Sequence, residues 1–128
     1  MINKDIIKLA SNTSNVGLKN KYSHKISLKN STCGDKITLE LIANKKKISS
    51  MKYETVSCVY CEASASLLSR TIKNIKLKDI KKDFLILKKI SMKKNGKIPK
   101  KLSDFKKLLN SDNFNRFKCI FLPIDAVL

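Results

Sequence analysis

Residues 24–43, HKISLKNSTCGDKITLELIA, hold two runs of alternating polar and apolar side chains on either side of a short polar break. Alternation with a period of two is the pattern of a half-buried strand. The two runs therefore predict two strands, and the break predicts the turn between them. Gly34 suits such a turn because glycine adopts backbone angles that other residues avoid. Cys33 and Asp35 flank that glycine, so two side chains of metal-binding type lie at one end of the predicted hairpin.

The rest of the chain supplies one more strand and then a change of period. Residues 48–56 predict a third strand, with Met51, Tyr53 and Thr55 or the alternate set facing inward. From residue 58 the apolar positions recur every three or four residues, which is the spacing of amphipathic helices. The predicted helical stretches carry Cys61, Ala65, Leu68, Ile72 and Ile75; Leu77, Ile80, Phe84 and Leu87; Leu102, Phe105 and Leu109; and a final segment from about Lys118 with Pro123 in its first turn.

The order of these elements predicts the fold class. Strands followed by helices indicate an α+β protein, so we expect a small three-stranded antiparallel sheet with helices packed on one face. The polar residues 1–23 predict a loosely held segment with one short helix. A chain of 128 residues suits one core, and no repeat is visible, so we expect a single domain over 1–128.

Three cysteines fall at predicted element ends. Cys58 lies where strand gives way to helix, and the free amides and dipole of a helix N-terminus stabilise a thiolate, the form that binds metal. Cys33 lies on the turn and Cys119 opens the last helix. With Asp35 as a fourth donor, these side chains could form a tetrahedral zinc site or an asymmetric cluster site. The alternative is that the cysteines are separate small core residues.

Two further residues are candidates for the same chemistry. Cys58 and Cys61 form a Cys-x-x-Cys pair, but a second such pair and a βαβ unit are both missing, which argues against a zinc knuckle or a thioredoxin-type motif. Cys61 also falls on the apolar helix face with Ala65 and Leu68, so we interpret it as a core residue rather than a ligand. His24, the one histidine, begins a strand and is interpreted as a surface residue.

The charge of the chain gives weaker information about function. The formal net charge is +18, but Arg70 and Arg116 are the only arginines and aromatic residues make up 6%. Nucleic-acid readers use arginine for bidentate contacts and aromatic rings for stacking. We therefore expect a solvated lysine-rich surface that binds nucleic acid only non-specifically and attracts acidic partners at low salt.

The chain also lacks signals for other compartments. Its apolar runs are far shorter than the roughly 20 residues that span a bilayer, and its N-terminus lacks the apolar core of a signal peptide. We expect a soluble, cytoplasmic protein without a membrane partner. In that reducing compartment four cysteines favour metal or sulfur chemistry over disulfides.

Three ordered motifs, KNSTCGDKITLEL, SCVYCEASASLLS and RFKCIFLPIDAV, resemble the iron–sulfur cluster scaffold family of NifU N-terminal domains, IscU and SufU. The matching residues are Cys33, Gly34 and Asp35 in the first motif; Cys58, Ala63, Ser64 and Ser66 in the second; and Cys119, Leu122 and Ala126 in the third. The resemblance covers nearly the whole chain. Ser31 and Ser57 depart from it, since the family usually has proline and glycine there.

The resemblance implies a ligand set. Arg116 and Lys118 before Cys119 look like the SufU-type pattern rather than the IscU-type His-Cys, which points to the SufU-like branch and leaves no histidine ligand. Cys33, Cys58 and Cys119 with Asp35 as the fourth ligand are then the site of a NifU/IscU-like scaffold fold.

The resemblance also implies a function. A cysteine desulfurase would pass persulfide sulfur to the protein, which would assemble iron or a [2Fe–2S] cluster and deliver it to apo iron–sulfur proteins or carriers, without being an enzyme. In SufU-like relatives zinc occupies the site, so a zinc-dependent sulfur relay is the alternative. A sulfurtransferase that needs one thiol, and a small basic RNA-binding protein that needs none, are the competing classes.

Overall fold

The computed structural model describes residues 4–29, 34–93, 98–109 and 117–127. Within them an antiparallel sheet runs in the order β1 (His24–Lys29), β2 (Lys36–Ala43) and β3 (Ile48–Val56). Each strand lies within one residue of its predicted bounds, because an alternating pattern on a sheet with one buried face fixes both the strand and its register.

The inner face of the sheet carries the core. In β2 the alternate residues Ile37, Leu39 and Leu41 are all buried, and Leu39 lies opposite both Ile26 of β1 and Tyr53 of β3. The inward-facing residues of β3 are therefore the alternate set that includes Tyr53. This is one of the two sets that the sequence left open.

Helices pack on that inner face and against one another. They are α1 (Lys4–Ser11), α2 (Val59–Thr71), α3 (Leu77–Lys93) and α4 (Phe117–Val127), with two short 3₁₀ helices, Ile72–Asn74 and Lys100–Lys107. The central helix, α2, packs against β3, α1 and α4, and α4 packs against β1 and β2. A helix with neighbours on all sides must be apolar or small all round, and α2 is buried at nearly every position between Tyr60 and Ser69. The predicted fold class is confirmed.

Two helical predictions need correction. The stretch through Leu102 and Phe105 is helical as predicted, but it is a 3₁₀ helix, and its third buried residue is Leu108 rather than Leu109. A spacing of three matches the three-residue turn of a 3₁₀ helix. Pro123 is the seventh residue of α4, which starts at Phe117, so it lies inside the helix rather than in its first turn.

Residues 12–23, here called the N-terminal strap, are held in place rather than loose. The Tyr53 amide donates to the main-chain oxygen of Asn15 at 3.2 Å, and the Gly17 amide donates to the main-chain oxygen of Tyr53 at 2.8 Å. The strap thus pairs with the outer edge of β3. Gly17 has φ +103, a conformation that favours glycine, and beyond it the strap crosses the outer face of the sheet.

No helix in the described ranges is both long enough and apolar enough to cross a membrane.

Candidate functional site

Asp35 enters the site from the turn before β2. Gly34 precedes it with φ +75, and a Cβ built on this glycine meets nothing within 4 Å. The glycine is therefore required for its backbone angle and not for space. The turn delivers Asp35 into the protein, where it is 6% exposed. A buried carboxylate needs a donor or a cation as a partner.

Cys58 supplies that partner from the end of β3. Lys36 and Val56 are paired in the β2–β3 register, so the residue before Lys36 and the residues after Val56 meet at the same end of the sheet. Cys58 is the N-cap of α2 and is half-buried. Its Sγ donates to Oδ2 of Asp35 at 3.5 Å. The sequence predicted this thiol at the junction of strand and helix, and the structure has it there.

Cys119 reaches the same point from α4 and is 3% exposed. One ligand atom each from Asp35, Cys58 and Cys119 lies within 4.8 Å of the other two. These three residues come from three separate parts of the chain. The structure therefore brings together three of the four side chains that the sequence predicted as ligands.

The separation of the Cys58 and Asp35 donors matches the one found around a single metal ion. Zinc–sulfur bonds of about 2.3 Å and zinc–oxygen bonds of about 2.0 Å, set at tetrahedral angles, place a sulfur and an oxygen about 3.5 Å apart. The distance from Cys58 Sγ to Asp35 Oδ2 is 3.5 Å. Two thiols and a carboxylate are also the donor types that zinc and iron take in proteins.

The remaining candidates fall outside this group. Cys33 and Arg116 lie outside the described residues, so the role of Cys33 stays a prediction. Cys61 is fully buried among the apolar residues of α2, as its helical face predicted. His24 is exposed and pairs with Leu41, at the opposite end of the sheet from Asp35.

The structure also contains a cleft that the sequence did not predict. It has a volume of about 430 Å³, and its lining includes Lys36, Val56, Tyr53, Glu54 and Glu62. Burial raises the pKa of the Tyr53 phenol above its ordinary value of 10.0. Lys36 follows Asp35 in the sequence, but Asp35, Cys58 and Cys119 do not line the cleft. Its lining comes from α1, the N-terminal strap, β2, β3 and α2.

The family model described as the NifU-like N-terminal domain matches residues 1–110. The match ends before α4, so the place of Cys119 at the site rests on the geometry above. No curated protein matches the chain.

Solved structures share the fold. The N-terminal part of a nitrogen-fixing NifU-like protein from Brucella abortus has a TM-score of 0.84 and 22% identity, covering 98% of this chain and 88% of that one. A candidate iron–sulfur cluster assembly scaffold protein for the SUF system, from the thermophile Fervidobacterium islandicum AW-1, has a TM-score of 0.85 and 21% identity, covering 98% and 93%. A hypothetical protein has a TM-score of 0.72 and 18% identity, covering 98% and 96%.

Proposed function

Since this chain belongs to the NifU-like N-terminal domain family, we propose that it is an iron–sulfur cluster assembly scaffold. It accepts sulfur from a cysteine desulfurase and holds iron or a [2Fe–2S] cluster through Cys33, Asp35, Cys58 and Cys119. The observation that carries this proposal is that the donor atoms of Asp35, Cys58 and Cys119 lie within 4.8 Å of one another. Cys33 is included on the basis of the sequence, in which it lies two residues before Asp35.

The Cys58 thiol donates to the Asp35 carboxylate. Cys58 and Asp35 would hold an iron or zinc ion together with the other ligands, and Cys58 would release its proton on binding, because only the thiolate binds metal. The metal would supply the positive charge that a buried carboxylate needs as a partner.

Sulfur arrives as a persulfide on the desulfurase. A thiolate of this protein attacks the outer sulfur, the donor's sulfur–sulfur bond breaks, the donor leaves as a thiolate, and a persulfide remains on this protein. Cys58 is half-buried whereas Cys119 is 3% exposed. Of these two thiols, Cys58 is the more accessible to an incoming donor. The protein turns nothing over by itself, and the finished cluster passes to apo iron–sulfur proteins or carriers.

A zinc-dependent sulfur relay is the second candidate. The separation between Cys58 Sγ and Asp35 Oδ2, 3.5 Å, is compatible with it because that distance matches one tetrahedral zinc ion, and the resemblance to SufU-like chains supports it. In this version zinc stays in place, and a site thiol accepts the sulfur and hands it on.

The deciding experiment isolates the protein without oxygen and measures iron, labile sulfide and zinc together with the ultraviolet–visible spectrum. Iron and sulfide in equal amounts, with visible charge-transfer absorption, support the scaffold. Stoichiometric zinc without sulfide supports the relay. In both cases the protein should stimulate a cysteine desulfurase, and Cys58→Ser should not. A protein that holds neither metal and does not stimulate the desulfurase would contradict both versions.

A further inference from the structure

Ser64 connects the two helices that carry the described thiols. It is fully buried in α2, and its Oγ donates to the main-chain oxygen of Ile120 in α4 at 2.5 Å. Cys58 caps the start of α2, and Cys119 directly precedes Ile120. A hydroxyl in the middle of one helix thus holds the backbone of the other beside a predicted ligand.

Pro123 explains why α4 needs support at this turn. Proline has no amide hydrogen, and its ring pushes aside the carbonyl four residues earlier. In α4 that carbonyl belongs to Cys119. Pro123 therefore cannot donate to the Cys119 carbonyl, and the hydrogen bond from Ser64 reaches the next carbonyl along.

Two other buried serines of α2 have different roles. Ser66 donates to the main-chain oxygen of Asn12 at 3.1 Å, and Ser69 donates within α2 to the main-chain oxygen of Ser66 at 2.7 Å. Both are 1% exposed. Ser66 also bonds the Tyr53 side chain, and Ser69 accepts from the Asn15 side chain. These hydrogen bonds go to partners outside α4, so the two serines are matched controls.

We propose that Ser64 is a positioning residue that sets the distance between the Cys119 and Cys58 thiols. The hydrogen bond to Ile120 fixes the weakened turn of α4, and through it the direction of the Cys119 side chain. The identity of the metal or cluster that the thiols bind rests on the proposed function. The role of Ser64 in placing the two thiols does not depend on it. Loss of a hydrogen bond that orients a metal ligand typically lowers metal affinity by about 10- to 100-fold.

The first test needs no metal. The metal-free wild type, Ser64→Ala and Ser66→Ala are treated with a bifunctional thiol reagent that links only thiols close to contact, and the linked Cys58–Cys119 peptide is measured by mass spectrometry. We expect a high yield from the wild type and Ser66→Ala, and a yield lower by at least severalfold from Ser64→Ala. Equal yields from all three proteins, or equal losses in both variants, would overturn the proposal.

The second test uses Co²⁺ and Zn²⁺ as probes. Ser64→Ala should bind Zn²⁺ about 10- to 100-fold more weakly and give an altered thiolate–Co²⁺ absorption spectrum, whereas Ser66→Ala should match the wild type. Unchanged affinity and spectrum in Ser64→Ala would contradict the proposal. If the wild type binds neither metal and the cross-linking result still holds, the metal-binding function fails while the role of Ser64 stands.

A matched pair covers the case in which Ser64→Ala does not fold. Ser64→Thr and Ser64→Val have nearly the same shape and differ in the hydroxyl. Retained cross-linking in Ser64→Thr with loss in Ser64→Val supports the hydrogen bond as the cause. The same result in both would show that the volume at this position, and not the bond, matters.

Discussion

Cys119 is the ligand residue that lies deepest in the core among those described, at 3% exposure. We expect Cys119→Ser to abolish stoichiometric zinc or cluster binding, because the serine hydroxyl is a poor ligand and too few donors remain for a closed site. Metal per protein, measured by elemental analysis after gel filtration, checks this. Full metal content in the variant would contradict a role for Cys119 as a ligand.

Cys61 gives the matched control because it is also a buried cysteine but belongs to the apolar interior of α2. Cys61→Ala should lower the free energy of unfolding by about 1 kcal/mol, the cost of a small truncation in a core. Its metal content and its stimulation of a desulfurase should equal those of the wild type. Loss of metal in this variant would make Cys61 a ligand instead.

The sequence was informative about these side chains to different degrees. Asp35 and Cys58 were predictable as neighbours because the turn, the strand ends and the helix N-cap are local features, and a hairpin register brings them to one edge. The approach of Cys119 to these two residues was not predictable from local features, since it depends on how α4 packs against α2. Cys119 was a candidate from its place at a predicted helix start and from the motif resemblance, and only the packing of α4 shows that it reaches the other two residues.

The last helix shows how packing overrides a local rule. Proline is disfavoured inside a helix, and on that ground Pro123 was predicted in a first turn. In the structure α4 begins at Phe117 and continues past the proline. Its apolar residues Ile120, Phe121 and Ile124 are all buried. Their burial stabilises the helix at the point where Pro123 interrupts its backbone hydrogen bonds.

The same helix allows a double-mutant test. Pro123→Ala restores an amide hydrogen that can bond the Cys119 carbonyl, so α4 should depend less on Ser64. We expect Ser64→Ala to cost less zinc affinity in the Pro123→Ala background than in the wild type, with a coupling of at least about 0.5 kcal/mol. Zinc competition titrations of the four proteins measure it. Strictly additive effects would mean that the proline and the serine act independently.

The pairing of the N-terminal strap with β3 could not be predicted from a sequence pattern. Its pairing with β3 uses backbone atoms of Asn15, Gly17 and Tyr53, and backbone atoms leave no side-chain signature. Glu40, on the outer side of β2, explains why the strap crosses there. It is 1% exposed, and its Oε1 accepts the amides of Lys19 at 2.7 Å and Asn20 at 3.0 Å.

Glu40→Gln should therefore loosen the strap. The neutral amide accepts the two backbone hydrogens more weakly than a carboxylate does, and loss of a charged acceptor in a buried bond costs about 1–3 kcal/mol. Hydrogen exchange should speed up across residues 15–20, with metal content unchanged. Glu54→Gln, an exposed change on the next strand, should shift stability by no more than about 0.5 kcal/mol. Equal protection of the strap in both variants would contradict this role for Glu40.

The charge of the whole molecule bears on its partners. The formal net charge of +18 comes from 28 basic and 10 acidic residues. A surface of this kind speeds encounters with acidic proteins at low salt and also attracts nucleic acid without sequence preference. The clustered thiols and carboxylate, by contrast, act at contact distance inside the protein, where salt has little effect. Salt therefore separates the two activities.

We expect RNA binding to be weak and to fade between about 50 and 200 mM salt, because it rests on counterion release. Sulfur transfer from a cysteine desulfurase should persist at the higher salt, because it needs a docked geometry and a thiolate. Desulfurase turnover and RNA binding are measured at both salt concentrations. The proteins compared are the wild type, Cys33→Ser, Cys58→Ser and Cys119→Ser. The cysteine variants should lose stimulation while binding RNA as the wild type does. Tight, salt-resistant RNA binding by a protein that does not stimulate the desulfurase would instead identify a nucleic-acid-binding protein whose cysteines serve its core.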